Sequence, residues 1–242
     1  MVKQYLPHYT RNFLEKTDWK QKKSKHYSFH FFSGSVAEKE IDFIIERQEK
    51  AYRKILNFLN LPEPTNVIEY YFYPDAETKQ KLMGDDWYAQ SIYEEFRIHT
   101  LYTKDIKPIG EHEDAHLLSL PWGLSVGFFQ EGLAEYLVGH AWDNKPHSHY
   151  VKIGYEKKIY PDLNTFMKHK VWLNTNDVDA IYFYSLAGAF VSFLISKFGK
   201  EKFESFYRQS NRNNVLQKNE KLFESVYNNN LTSLEKDFKN QV

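Results

Sequence analysis

Five residues carry the most explicit chemistry in this chain: His112-Glu113-Asp114-Ala115-His116. Two histidines four apart on an α-helix lie one turn apart on one face, where two neutral imidazoles can grip a single zinc ion. Glu113, beside the first histidine, is placed to act as a general base on water at the metal's open position. A catalytic zinc takes three protein ligands and keeps that fourth position open. The segment Phe129-Gln130-Glu131-Gly132-Leu133-Ala134-Glu135-Tyr136 offers two carboxylates, Glu131 and Glu135, again four apart and sharing a helical face. One can complete the site while the other accepts the free N–H of a ligand histidine, which fixes that imidazole's tautomer.

A third stretch follows in the same order: Tyr184-Ser185-Leu186-Ala187-Gly188-Ala189-Phe190. Together the three segments resemble the gluzincin metallopeptidases, and most closely their peptidase-MA-like branch, over about Ile98 to Phe203. Before Ile98 the resemblance is one of general layout. It implies a zincin-like (thermolysin-like) metallopeptidase fold and one zinc ion (Zn2+) held by His112, His116 and Glu131. It also implies Glu113 as general base, Glu135 as the acidic partner of a ligand histidine, and Tyr184 as a donor to the oxyanion. Spacing in the best-known gluzincins selects Glu135 as the third ligand, whereas the Glu-Gly-Leu-Ala context selects Glu131. Tyr182 competes with Tyr184 for the oxyanion. The implied activity is hydrolysis of peptide bonds in a peptide or protein substrate by metal-activated water. The alternative is a catalytically silent zincin-fold protein that binds a peptide or protein partner. The intact Glu113 favours the enzyme, since a structural zinc has no use for a base.

The elements that must position these residues read as α+β: an N-terminal mixed sheet with a long helix, then a helical C-terminal half. Tyr27 to Phe32 alternates as a half-buried strand. Ser35 with Glu38 makes a capping box ahead of an amphipathic helix from Val36 to Asn60, which Leu61-Pro62-Glu63-Pro64 stops. Val67 to Tyr73 reads as a strand, Ala76 to Met83 as a short helix and Arg97 to Thr103 as another strand. This last strand is expected to be the exposed edge that pairs with an extended peptide. Helices are expected over Ile109–Ser119, Gly127–Val138, Ile181–Phe198, Lys200–Gln209 and Leu231–Lys239, with Gly139 and Gly199 as C-terminal caps. Trp142–His149 and Lys170–Asp179 read as loops. His140, His147, His149 and His169 read as exposed histidines, and His99 lies on the Arg97–Thr103 strand. The basic run Lys20–Lys25 reads as a solvated turn. No linker interrupts the chain, so residues 1–242 are expected to form a single zincin-like domain, strand-rich over 1–105 and helical over 106–242.

Bulk properties narrow the classes further. Lysine plus arginine equals aspartate plus glutamate, at 32 each, which argues against a nucleic-acid partner. The absence of cysteine rules out disulfides and thiolate chemistry. No apolar run is read as approaching the roughly 18 residues of a membrane span. Met1 to His8 holds no apolar signal-peptide core. The compartment is left open between cytoplasmic and extracellular with a removed signal, and so is the oligomeric state.

Overall fold

In the computed structural model, which describes residues 14, 16–175 and 177–242, five strands form one mixed sheet. They are β1 (Lys20–Lys23), β2 (Tyr27–Phe31), β3 (Ile68–Tyr73), β4 (Ala89–Ile92) and β5 (Arg97–Leu101), in the order β1-β2-β3-β5-β4. β2, β3 and β5 run parallel, while β1 and β4 pair antiparallel at the two edges. With them come α1 (Val36–Lys39), α2 (Ile41–Leu59), α3 (Ala76–Met83) and α4 (Glu111–Leu118). The chain is α+β. Met1 to His8 lies outside the described residues.

The sheet is covered on both faces. Tyr27, Phe29, Tyr70 and Phe72 form a ring ladder on one face, where Tyr27 meets Tyr52 of α2 edge-on at 5.9 Å. On the other face Tyr71, Tyr73 and Leu101 pack with Leu82 and Met83 of α3. β2 is therefore buried on both sides, as parallel strands usually are, and not half-buried as its alternation suggested. His30 stacks on Tyr71 at 4.2 Å and Tyr71 on His99 at 4.8 Å, so apparently polar positions join an aromatic row across the sheet.

Three further expectations for this region change. The Lys20–Lys25 run is no turn: its first four residues are the exposed edge strand β1, and lysines there discourage pairing with another chain. The helix expected from Val36 to Asn60 breaks at Glu40, whose carboxylate is drawn aside by the Tyr102 hydroxyl and the Lys107 ammonium, each at 2.7 Å. β5 is not an edge. β4, which the sequence reading missed, covers it and becomes the free edge.

Contacts divide the described residues into two compact units, one ending at Ser119 and the other beginning at Leu120. The division falls after α4, not at the composition change near Ile106, because α4 packs on α2 and beside β4. The second unit is helical: α5 (Gly127–Val138), α6 (His147–Glu156), α7 (His169–Leu173), α8 (Ala180–Phe198), α9 (Lys200–Gln209), α10 (Leu216–Tyr227) and α11 (Leu231–Lys239). The regions Trp142–His149 and Lys170–Asp179, read as loops, contribute the start of α6 and most of α7, and α10 went unforeseen.

α8 is the core of this unit and packs on α5, α6 and α9. Contrary to the sequence reading, it is long and apolar enough to cross a membrane. Here its Phe183, Leu186, Phe190 and Leu194 are buried within the helical unit. α5 and α8 approach closely because glycines face the contact. A Cβ on Gly132 would stand 2.7 Å from the Ala187 carbonyl oxygen, and one on Gly188 would stand 2.6 Å from the Glu135 Cβ.

Candidate metal centre

In the sheet unit, α4 carries the histidine pair. At 100° per residue, Glu111, Asp114, Ala115 and Leu118 fall on one side, and His112, Glu113 and His116 on the other. The first side is buried. The His112 and His116 rings sit 5.0 Å apart and nearly perpendicular, with His112 half-exposed and His116 buried.

What aims this short helix is a polar clamp from α2 and β2. Gly110, at φ 120°, presents its N–H to Gln48 Oε1 at 2.5 Å, and a Cβ there would collide with the Arg47 guanidinium. Gln48 Nε2 also donates to Asp114 Oδ2 at 3.1 Å, and the Tyr27 hydroxyl donates to the same oxygen. Burial pushes the Asp114 carboxyl well above the usual carboxylate range, and the neighbouring Glu113 and Glu111 add to this. Burial works the same way on Glu111, but its bonds to Arg47 and Lys54 outweigh it and hold that carboxyl below its usual value. The motif's own Asp114 thus serves the scaffold.

Glu113 is half-exposed and accepts from the Ser91 hydroxyl of β4 at 2.6 Å through Oε2. Sequence reasoning named none of Gln48, Arg47, Lys54, Asp114 or Ser91 as supports. One signal was present for Gln48: it interrupts the apolar stripe Ile41, Ile44, Tyr52, Ile55 at a core position. A four-residue strand of composition Ala-Gln-Ser-Ile gives Ser91 no comparable signal.

In the helical unit, α5 carries both candidate carboxylates. Its first N–H, from Gly127, donates to His169 Nδ1 at 2.9 Å. His169, expected to be exposed, is half-buried and caps α5 one turn before Glu131 on the same face. Burial lowers its pKa, Arg212 lowers it further, and Glu131 partly offsets both. Glu135 is buried against His147, which was also expected to be exposed. His147 Nε2 donates to the Glu135 carbonyl at 3.1 Å and lies 3.5 Å from the Glu135 carboxylate, while Nδ1 is 3.3 Å from the Ser185 hydroxyl. The close approach at Gly188 admits this cluster.

In the sheet unit His112 and His116 offer two imidazoles from one face of α4, and in the helical unit α5 offers the half-buried Glu131 carboxylate. Two imidazoles and a carboxylate match the donor set of a three-ligand catalytic metal site. Tyr184 is half-exposed, its ring between Trp142 at 5.6 Å and Trp172 at 5.5 Å. Tyr182 points elsewhere on α8: its hydroxyl accepts from Lys157 at 3.1 Å, and its ring meets Tyr150. His99 is fully buried, 2.9 Å from the Tyr73 hydroxyl through Nδ1, and kept neutral by burial with Lys79 and Arg97 nearby. Comparison with known proteins adds nothing to this geometry: no family model matches the chain, and no curated protein does.

Proposed function

We propose that this chain is a zinc-dependent metallopeptidase of zincin-like fold, related to the gluzincins, with His112, His116 and Glu131 as metal ligands. One observation carries the reading. A single helical face of the sheet unit presents His112, His116 and the half-exposed Glu113 together, the two rings 5.0 Å apart, and Glu131 is the carboxylate assigned as third ligand. A zinc ion held by these residues would supply a Lewis acid that polarises a carbonyl and acidifies water.

The remaining roles belong to the protein's own groups. Glu113 accepts the proton of the attacking water and delivers it to the leaving amine. With one carboxylate oxygen engaged by Ser91, its other oxygen is available for that transfer. Tyr184, half-exposed, donates its hydroxyl to the oxyanion. Its rival Tyr182 is occupied with Lys157. Glu135 and its His147 partner stiffen the helix that presents Glu131. An extended peptide adds to the sheet by main-chain hydrogen bonds along the free edge of β4, the strand that also supplies Ser91.

The test joins metal analysis to cleavage of a quenched-fluorescent peptide library. Wild type should hold about one zinc per chain and cleave. Glu113→Gln should keep zinc and lose turnover by about 10²- to 10⁴-fold. Glu131→Ala should lose zinc more completely than Glu135→Ala; the reverse order moves the third ligand to Glu135. A wild type that holds zinc and cleaves nothing overturns the peptidase reading in favour of a catalytically silent binding protein.

A further inference from the structure

β4 does more than close the sheet. Its residues point alternately to the two faces, and each face is tied down. On one face Gln90 Nε2 donates to Asp85 Oδ2 at 2.8 Å. Asp85 also accepts the Trp87 N–H at 3.1 Å and pairs with the fully buried Lys79 of α3. On the other face the Ser91 hydroxyl lies 2.6 Å from Glu113 Oε2 and 3.0 Å from the Glu113 carbonyl oxygen. Its single proton goes to the nearer carboxylate oxygen. Ser91 therefore stands on a strand anchored from behind and reaches forward to the one carboxylate assigned a proton-transfer role.

We propose that Ser91 is a positioning residue for Glu113, holding one carboxylate oxygen so that the other faces the reacting water. The proposal rests on the peptidase reading above. A half-exposed glutamate has three side-chain torsions and several staggered wells open to it. A fixed donor at one oxygen selects among them, and misplacement of a reacting group by about 1 Å costs up to about 10²-fold in rate. The side chain of Ser91 points towards α4, out of the plane of the strand's hydrogen bonds. Its removal leaves the main-chain groups of the β4 edge in place, so substrate binding and turnover separate.

The experiment uses the zinc-loaded protein and the best-cleaved peptide from the library. Ser91→Ala should lower kcat by about 10- to 100-fold with KM within about 3-fold and zinc content unchanged. Ser91→Thr, which keeps the hydroxyl, should recover most of kcat. On a Glu113→Gln background Ser91→Ala should cost nothing further, because Ser91 acts through Glu113. In the metal-free protein the unfolding midpoints of the same two single variants and their double should be non-additive, which reads the contact without any turnover. An unchanged kcat in Ser91→Ala, a further loss on the Glu113→Gln background, additive midpoints, or lost zinc overturns the role of Ser91 and leaves the peptidase reading standing. A wild type that binds zinc without cleaving, or a fully active Glu113→Gln, overturns the peptidase reading and the role of Ser91 with it.

Discussion

α4 and α5 present the candidate ligands by different physics. α4 has only eight residues, too few to hold a direction by itself. Polar groups buried under it set its aim: Gln48 at the Gly110 N–H and at Asp114, Tyr27 at Asp114, and Arg47 with Lys54 at Glu111. α5 is packed by shape. Its Gly132 lies on the Ala187 carbonyl, Glu135 lies on Gly188, and Phe128 and Phe129 stack among Phe166, Phe190 and Phe206. A polar clamp is directional but depends on every partner being present. A close-packed helix pair tolerates lost hydrogen bonds and not added volume.

The sharpest way to break this contrast is Gln48→Leu. It leaves the Gly110 N–H and part of the Asp114 carboxyl buried without partners, at about 1–3 kcal/mol each, so urea unfolding should show a loss of about 3 kcal/mol. A loss below about 1 kcal/mol would mean that apolar packing, and not the clamp, holds α4. Gly132→Ala is the matching test on α5. Alanine gains up to about 1 kcal/mol of helix propensity, but the clash is with a backbone carbonyl that cannot rotate away and costs about 3 kcal/mol. The net expectation is a loss of about 2 kcal/mol, and a stabilised variant would show that the helices can part freely. The smallest effect is read against pH. His99 is held neutral with a pKa well below 6.5, whereas the unfolded chain protonates it near that value. Unfolding therefore takes up a proton below pH 6.5, and stability falls as the pH drops, by at most about 1.4 kcal/mol per pH unit. His99→Asn, which can keep the Tyr73 contact, should flatten that slope between pH 6.5 and 5; an unchanged slope assigns the acid sensitivity to other groups.

Legibility in the sequence follows the same contrast. α5 was readable to the residue because its apolar faces and its Gly139 cap are local signals. The long helix was readable too, but not its interruption at Glu40, whose carboxylate is bonded by Tyr102 and Lys107 some sixty positions away. Gln48 was visible as a polar residue out of phase, yet nothing local said that it faces Gly110. His147 and His169 sat in polar contexts that read as loops, and their burial comes from Glu135, Ser185 and the α5 N-terminus. β4 was illegible because a four-residue strand takes its identity from the partner beside it.

By itself the sequence determined the pairs at helical spacing: His112 with His116, and Glu131 with Glu135. Geometry over four residues is set by the helix and needs no distant partner. It also determined the chemical types, two imidazoles and a set of carboxylates with no thiol among them. Only the tertiary structure decided that β4 and not β5 stands at the edge of the sheet, and that Ser91 meets Glu113. Strand order, burial and the meeting of remote side chains are settled by packing between segments far apart in the chain, and no local pattern encodes them.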